Sequence, residues 1–313
     1  MTKALVTGGA GFIGSHLSER LFKEGNEVTV LDNFTTGKRE NLKEIAQEIE
    51  IINGSITDME TVRKAVEGVD YVFHQAAIPS VPRSVKDPII STRVNVMGTL
   101  NVLVGAKEVG AKKVVLASSS SIYGDTPTLP KKEEFRPTPL SPYADSKLMN
   151  ELHASQFFTL YGMETVCLRY FNVFGPRHDP NSEYAAVIPK FIQSILDGKP
   201  PTIYGDGEQT RDFTFIDDVV EANILASKSG QNTAGKAFNI AGGKNITINK
   251  LLETINGLLG KNVEAVHEGE RPGDIKHSYA DASMAKELLG WTPKHTLEDG
   301  LKTTIKWMEG KRG

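Results

Sequence analysis

The sequence predicts an α/β fold: a doubly wound parallel sheet covered by helices on both faces, with a smaller C-terminal lobe. Three observations lead there. Short apolar runs alternate with helical patterns over the first two-thirds of the chain, as buried parallel strands and their covering helices do. A glycine-rich turn, Gly8-Gly9-Ala10-Gly11-Phe12-Ile13-Gly14, joins the first strand to the first helix. After about Asn172 the alternation breaks, and amphipathic helices dominate the end of the chain. This divides the chain into a nucleotide-binding domain, 1–171 plus about 213–241, and a substrate-binding lobe, about 172–212 plus 242–313.

Taken in order, Ala4-Leu5-Val6-Thr7 reads as a strand and Phe12 to Lys23 as a helix, with Ile13, Leu17 and Leu21 on one face. Val28 to Leu31, Glu50 to Ile52, Tyr71 to Phe73, Val114 to Leu116 and Thr165 to Leu168 are the following strands. Ser141-Pro142 opens a helix that runs to about Tyr161, with serine as N-cap and proline in the first turn. Gly175-Pro176-Arg177 and Asp179-Pro180-Asn181 are loops, Pro189 to Leu196 a helix, and Gly205-Asp206-Gly207 a turn. Phe213 to Lys228 reads as a helix and Ala237 to Ala241 as a strand returning to the sheet. Helices at roughly 247–259, 283–289 and 297–309 complete a lobe that caps the carboxyl edge of the sheet.

Composition narrows the function. The 313 residues are 39% hydrophobic and 24% charged, with a net charge of −3 and no basic run. Nothing points to nucleic acid or an anionic membrane surface. The single cysteine, Cys167, lies in the apolar run Val166-Cys167-Leu168 and is expected to be a buried strand residue. No stretch of about 18 apolar residues is expected to span a bilayer. The chain opens on a strand, so a cytoplasmic protein without a signal peptide is expected. The seven histidines lack ligand spacing, so no metal is indicated. His74 is expected to be structural, and the remaining titratable pairs to be solvated surface.

Two motifs carry chemistry. Gly8 permits a tight turn, Gly11 lets the backbone approach a diphosphate, and Gly14 lets helix pack on strand. The diphosphate would lie at the positive end of the helix. Asp32 ends the second strand, where a carboxylate accepts from both adenosine ribose hydroxyls and repels a 2′-phosphate; NAD is expected rather than NADP. The second motif is Tyr143-Ala144-Asp145-Ser146-Lys147, which puts a phenol and an ammonium on one helix face. Tyrosine, with a pKa of about 10, becomes a usable base when an ammonium and a nicotinamide cation favour the phenolate. The serines of Ala117-Ser118-Ser119-Ser120-Ser121-Ile122-Tyr123-Gly124 emerge at the carboxyl edge of the sheet, where a hydroxyl can relay a proton.

Together with His74-Gln75-Ala76-Ala77, Asn95, Arg169 to Pro176, Arg211-Asp212-Phe213 and Arg271-Pro272-Gly273-Asp274, these motifs cover the whole chain. The sequence resembles the extended short-chain dehydrogenase/reductase family, specifically its nucleotide-sugar 4-epimerases, with their Rossmann-type fold. The resemblance implies Tyr143 as the base at the sugar C4 hydroxyl, Lys147 as the residue that lowers its pKa, and Ser119 as the proton shuttle. To the NAD site it assigns Gly8, Gly11, Phe12, Ile13, Gly14, Asp32, Asn33, Ser55, Ile56, Gln75, Ala76, Ala77, Asn95, Ser118, Tyr170 and Phe171, beside Tyr143 and Lys147. To a UDP-sugar it assigns Ser119, Ser121, Asn172, Val187, Tyr204, Arg211, Arg271, Asp274 and Ser278, with Arg83 able to face a sugar carboxylate. The two arginines, Arg211 and Arg271, suit a diphosphate through paired hydrogen bonds.

Two departures stand out. Gly54-Ser55-Ile56 stands where the family often has Asp after the glycine, with Asp58 a turn further on. Ser278 stands where a bulky tyrosine walls the C2 side of plain hexoses, so N-acetylated sugars are expected to be tolerated; Ser80-Val81-Pro82-Arg83-Ser84 resembles the same branch. Rival readings are a 4,6-dehydratase, which usually has Thr-Asp-Glu where this chain has Ser119-Ser120-Ser121, a UDP-glucuronate 4-epimerase or decarboxylase, and a catalytically silent NAD sensor. The resemblance also implies a homodimer through a four-helix contact, for which Val96, Leu100, Val104, Leu152, Phe157 and Leu160 supply apolar surface.

Overall fold

The computed structural model describes residues 2–180, 186–270 and 275–311. Its first six strands are β1 (Lys3–Thr7), β2 (Glu27–Asp32), β3 (Glu50–Asn53), β4 (Tyr71–His74), β5 (Lys113–Ser119) and β6 (Glu164–Tyr170). Seven shorter or later ones follow: β7 (Val173–Phe174), β8 (Thr202–Tyr204), β9 (Thr210–Asp212), β10 (Thr214–Phe215), β11 (Lys236–Ile240), β12 (Asn245–Thr247) and β13 (Val266–Glu268). The central sheet has seven parallel strands in the order β11-β6-β5-β4-β1-β2-β3. The chain winds outward from β1 through β2 to β3, then returns to the other side of β1 as β4. The crevice at that reversal, beyond the carboxyl ends of β1 and β4, is where doubly wound sheets bind ligands.

Alternation along each strand feeds two cores. Ala4, Val6, Val115, Ala117, Val166 and Leu168 face one core, while Leu5, Val114, Leu116 and Cys167 face the other. Cys167 is a buried strand residue, as expected. The second core is closed by α2 (Met59–Ala65), α5 (Gly98–Glu108) and α6 (Pro142–Tyr161). The first is closed by α1 (Phe12–Lys23) and α8 (Ile216–Lys228) and runs on into the C-terminal lobe. That lobe holds α7 (Val187–Leu196), α9 (Ile248–Leu259), α10 (Ser283–Leu289) and α11 (Leu297–Gly310), with the pairs β8–β13 and β9–β12. Two short helices, α3 (Val81–Lys86) and α4 (Pro88–Thr92), precede a wider π turn, Arg93–Met97, that leads into α5.

Two sequence expectations are corrected. The helix read as Phe213 to Lys228 begins at Ile216, because Thr214 and Phe215 pair in parallel with Val173 and Phe174. The Thr214 hydroxyl adds a 2.7 Å bond to the Phe171 carbonyl. Also, α4, the π turn and α5 form one helical run, Pro88–Glu108, that is long and apolar enough by length and composition to cross a bilayer. Of an apolar 18-residue stretch within that run, 44% is buried inside the protein, and Val102, Leu103 and Ala106 pack on the sheet.

Candidate active site

At the switch point, the first loop fits a dinucleotide on its backbone geometry. Gly8 has φ +68°, and a Cβ there would come within 2.8 Å of the Ala76 backbone nitrogen. The turns after β1 and β4 thus meet with no room for a side chain. A Cβ on Gly14 would stand 2.1 Å from the Gly8 carbonyl oxygen, so α1 lies against its own entry loop only because this residue is glycine. Helix α1 begins at Phe12 with no side-chain cap, leaving its first N–H groups for an anion. Asp32 is buried; its Oδ2 accepts from the Ala10 amide at 2.9 Å and its Oδ1 from the Phe34 amide at 2.8 Å. The carboxylate therefore fixes the glycine loop and keeps a lone pair on each oxygen for ribose hydroxyls.

The other residues assigned to the cofactor divide into two groups. Ile13, Ala76 and Ala77 are half-buried beside the crevice. Asn33 is exposed and accepts from the Thr35 amide, and the Ser55 hydroxyl bonds the Thr57 hydroxyl at 2.8 Å. Asp58 caps α2 through the Glu60 amide. The rest are enclosed. Ile56 is buried against Gly98, and Phe171 packs with Tyr123. Tyr170 donates to Gln75 Oε1 at 3.2 Å, Gln75 to Asn223 Oδ1 at 3.0 Å, and Asn223 back to Tyr170 at 2.8 Å. Asn95 has no exposed surface; its amide grips both backbone groups of Ile78 and the Ser146 hydroxyl. The Ser118 hydroxyl donates to Glu151. These last side chains are tied to one another and to the backbone around the crevice.

Helix α6 supplies the chemistry. Ser141 Oγ accepts from the Ala144 amide at 3.2 Å, Pro142 sits at the first turn, and Gly162 ends the helix at φ +70°. Tyr143 and Lys147 are one turn apart, with the ammonium 5.9 Å from the phenol ring centre. The Tyr143 hydroxyl lies beside Ser119, whose hydroxyl accepts from the Ser121 amide at 3.1 Å. Lys147 is 4% exposed, and its Nζ donates to the Ala117 carbonyl at 2.8 Å. Burial pulls its pKa down to about 8, against the raising fields of Cys167 and Glu151. Burial pushes the Tyr143 phenol up, and the Ser119 hydrogen bond opposes it. The hydroxyl oxygen of Ser121 is buried without a partner next to this group.

His74 is structural, as expected. It is 3% exposed, with Nδ1 2.7 Å from the Thr7 hydroxyl and Nε2 2.7 Å from that of Thr99. Thr99 donates to the Asn95 carbonyl, so its oxygen receives the Nε2 proton and the ring is neutral. Burial, then the charge of Lys147, hold its pKa down at about 3.

Among the residues assigned to a UDP-sugar, Asn172 closes the end of β6 in a left-handed conformation, φ 34°, and its side chain donates to the Asp212 carbonyl at 2.8 Å. Val187 starts α7, and Tyr204 ends β8. Arg211 lies in β9, its Nη1 2.9 Å from the Thr210 carbonyl. The Ser278 amide donates to that same carbonyl at 3.1 Å, which places Ser278 beside Arg211. Arg83 is half-buried on α3, whose Ser84 hydroxyl accepts from the Tyr143 amide at 3.0 Å. Arg271 and Asp274 lie outside the described residues. Among the described residues no cluster of metal ligands occurs.

One expectation fails outright. Glu151 and Arg169 are not solvated surface but a buried pair, 9% and 6% exposed, joined by bonds of 2.9 and 2.8 Å. The legible signal was spacing: Glu151 falls one helical turn after Lys147 on the same face. On the presumed dimer face, Leu152 and Leu160 are exposed and Val96, Leu100 and Val104 are half-buried, whereas Phe157 is buried against the sheet and Tyr161.

The chain matches the model of the NAD-dependent epimerase/dehydratase family over residues 4–241. Its fold is that of a UDP-N-acetylglucosamine 4-epimerase from Methanobrevibacter ruminantium M1, solved with UDP-N-acetylmuramic acid. That match has a TM-score of 0.94 and 43% identity over 99% of each chain. A UDP-glucose 4-epimerase from Thermotoga maritima, solved with UDP-glucose, gives a TM-score of 0.95 at 38% identity over 100% of each chain. A UDP-glucuronate 4-epimerase from Thermodesulfobacterium geofontis is 39% identical over 97% of this chain and 95% of its own.

Proposed function

The chain belongs to the NAD-dependent epimerase/dehydratase family, and we propose that within it the protein inverts C4 of a UDP-hexose through a transient 4-keto sugar. The observation that carries this reading is the assembly of Ser119, Tyr143 and Lys147 at the carboxyl edge of β5, with no carboxylate among Ser119, Ser120 and Ser121. Elimination of water across C5 and C6 needs an acid and a base at that place, so a dehydratase is disfavoured.

The NAD-binding domain spans 1–171 plus about 213–241 in this reading, with Gly8, Gly11, Phe12, Ile13, Gly14 and Asp32 holding the dinucleotide. Bound there, NAD would supply the hydride acceptor and donor that inversion at C4 needs. Tyr143, through Ser119, takes the C4 hydroxyl proton as the carbonyl forms and gives it back as the alcohol is restored, so the protein ends each cycle unchanged. Lys147 supports the phenolate electrostatically. Ser121, whose hydroxyl has no protein partner, is a ready contact for a sugar hydroxyl. Asn172, Val187, Tyr204, Arg211, Arg271, Asp274 and Ser278 are proposed to hold the UDP and sugar.

Relatives named for three different sugars are almost equally similar, so overall likeness does not choose the substrate. The small side chain of Ser278 leaves space beside C2, and we read the pocket as accepting N-acetylhexosamines as well as hexoses. The half-buried cation Arg83, on the helix that anchors the Tyr143 amide, keeps a uronic acid as the second reading. Exposed Met97, Met149, Leu152 and Leu160 on α6 and the adjoining helical run support a homodimer.

Proton NMR of the purified protein with UDP-N-acetylglucosamine and, separately, UDP-glucose, without added NAD, tests the proposal. New anomeric signals of the C4 epimer establish epimerisation with retained cofactor, and the rates rank the sugars. Conversion of neither, even with NAD supplied, removes both substrates and makes UDP-glucuronate the next.

A further inference from the structure

We propose that the buried Glu151–Arg169 pair is a positioning device for Lys147 and Ser119, and that it couples the catalytic helix to the loop carrying Ser278. The inference rests on the epimerase reading above. Glu151 lies one turn after Lys147 on α6 and touches both strands beneath it. Its Oε1 accepts from Ser118, next to Ala117 and Ser119 on β5, and from Arg169 Nε at 2.9 Å on β6; its Oε2 accepts from Arg169 Nη2 at 2.8 Å. Ala117 holds the Lys147 ammonium, and Ser119 lies beside the Tyr143 hydroxyl. The carboxylate thereby fixes the register between the helix that bears the base and the strand that bears the shuttle.

The network continues to the substrate lobe. Arg169 Nη1 donates to the Tyr123 hydroxyl at 2.7 Å, and Tyr123 donates to Asn239 Oδ1 at 2.7 Å. Asn239 Nδ2 donates to the carbonyls of Lys131 and Asp281, each at 3.0 Å. Residues 278–281 belong to the strip whose Ser278 amide bonds β9 and whose Ala280 amide reaches Asp212. Tyr123 and Asn239 are 1% and 0% exposed. A buried ion pair adds little stability over a well-packed apolar pair, so its place against the Lys147 turn calls for another role.

Charge is the second part of that role. The groups that act on Lys147 are Tyr143 and Glu151 on α6, Cys167 on β6 and His74 on β4, while the Arg169 guanidinium is paired with Glu151. Among these Glu151 is the carboxylate, and it favours the ammonium against burial.

Steady-state epimerisation by the NAD-loaded protein, measured against pH, tests this with three variants. Glu151→Gln is expected to lower kcat roughly tenfold with KM within twofold, and to move the alkaline limb down by about one pH unit. Glu151→Asp, which keeps the charge and loses reach, is expected to lower kcat with the limb in place. Tyr123→Phe, which removes the hydroxyl joining Arg169 to Asn239 and leaves the Glu151–Arg169 bonds in place, is expected to raise KM severalfold with kcat within twofold. Folded Glu151 variants whose limbs and kcat match the wild type, or a Tyr123→Phe enzyme with unchanged KM, overturn the proposal; if the Glu151 variants do not fold, the Tyr123→Phe result decides it. A wild-type protein that converts no UDP-sugar is a failure of the epimerase reading instead.

Discussion

Lys147 and Tyr143 are each drawn by burial toward their neutral forms, the ammonium to about 8 and the phenol upward. The useful state, phenolate beside ammonium, therefore has an upper bound in pH: as pH rises through about 8, Lys147 discharges and the phenolate loses its support. The expected kcat profile is bell-shaped, and Lys147→Arg, whose guanidinium does not titrate in that range, should lose the alkaline limb while turning over more slowly. A pH–rate series on both proteins checks this. Tyr143→Phe should cost 10²- to 10⁴-fold in kcat, about the worth of a positioned proton-transfer group, with the far-UV circular dichroism of the parent retained. Ser278→Tyr should depress turnover of UDP-N-acetylglucosamine while sparing UDP-glucose, because only the acetamide needs the space; rates for the two sugars that fall in step would remove the pocket argument. At this scale the sequence was most legible where chemistry is local. Tyr143, Lys147 and Asp32 stand where spacing placed them. Glu151 and Arg169 pair across two elements, so spacing records only that Glu151 shares a helix face with Lys147 and says nothing of its partner on β6.

Elements were read well where a residue type forces a boundary. Helix α1 has the predicted ends because Gly11 and Gly14 leave only one way to enter it, and α6 starts at Pro142 because Ser141 caps it. The entry to α8 was misread because Phe213 to Phe215 has an apolar pattern that helix and strand share; the pairing of Thr214 and Phe215 with Val173 and Phe174 is a contact between distant segments. The glycine boundary yields a prediction. In Gly14→Ala the new Cβ would meet the Gly8 carbonyl at 2.1 Å, so α1 must move away from the loop that it closes. NAD affinity by calorimetry should fall at least tenfold while far-UV circular dichroism stays near that of the parent. Leu152 and Leu160, 50% and 67% exposed on α6, concern a different face. Leu152→Glu should turn the proposed dimer into a monomer by light scattering; a wild-type protein that is already monomeric removes the helix-face interface.

Across the whole molecule, buried titratable groups shape how stability varies with acidity, and they do not pull the same way. His74 is held neutral with its pKa near 3, and His178, stacked 4.4 Å from the Phe12 ring, near 4, both by burial. Both bind a proton in the unfolded chain near 6.5, so each contributes stability above that pH that is lost as pH falls toward 4 and then 3. Asp212 is opposite. Burial raises its pKa to about 7, against backbone hydrogen bonds from the substrate lobe, including the Gly243 amide at 3.1 Å. It is protonated in the folded state and ionised in the unfolded chain between about 4 and 7, so it favours folding more as pH falls through that window. Between about 4 and 6.5 the unfolded state therefore binds two histidine protons and the folded state one carboxyl proton. These three give a net of one proton, about 1.4 kcal/mol of stability lost per pH unit in acid; His16, also lowered by burial, adds to that loss, and Glu133, raised by burial, opposes it. Urea unfolding at several pH values in this window should show stability falling in acid. Asp212→Asn removes an opposing group and should steepen the fall by about 1.4 kcal/mol per pH unit, and His74→Gln should flatten it by about as much. A flat wild-type profile that neither substitution alters would mean that these side chains exchange protons with water in the folded protein, and that the lobes around them open far more readily than their packing indicates.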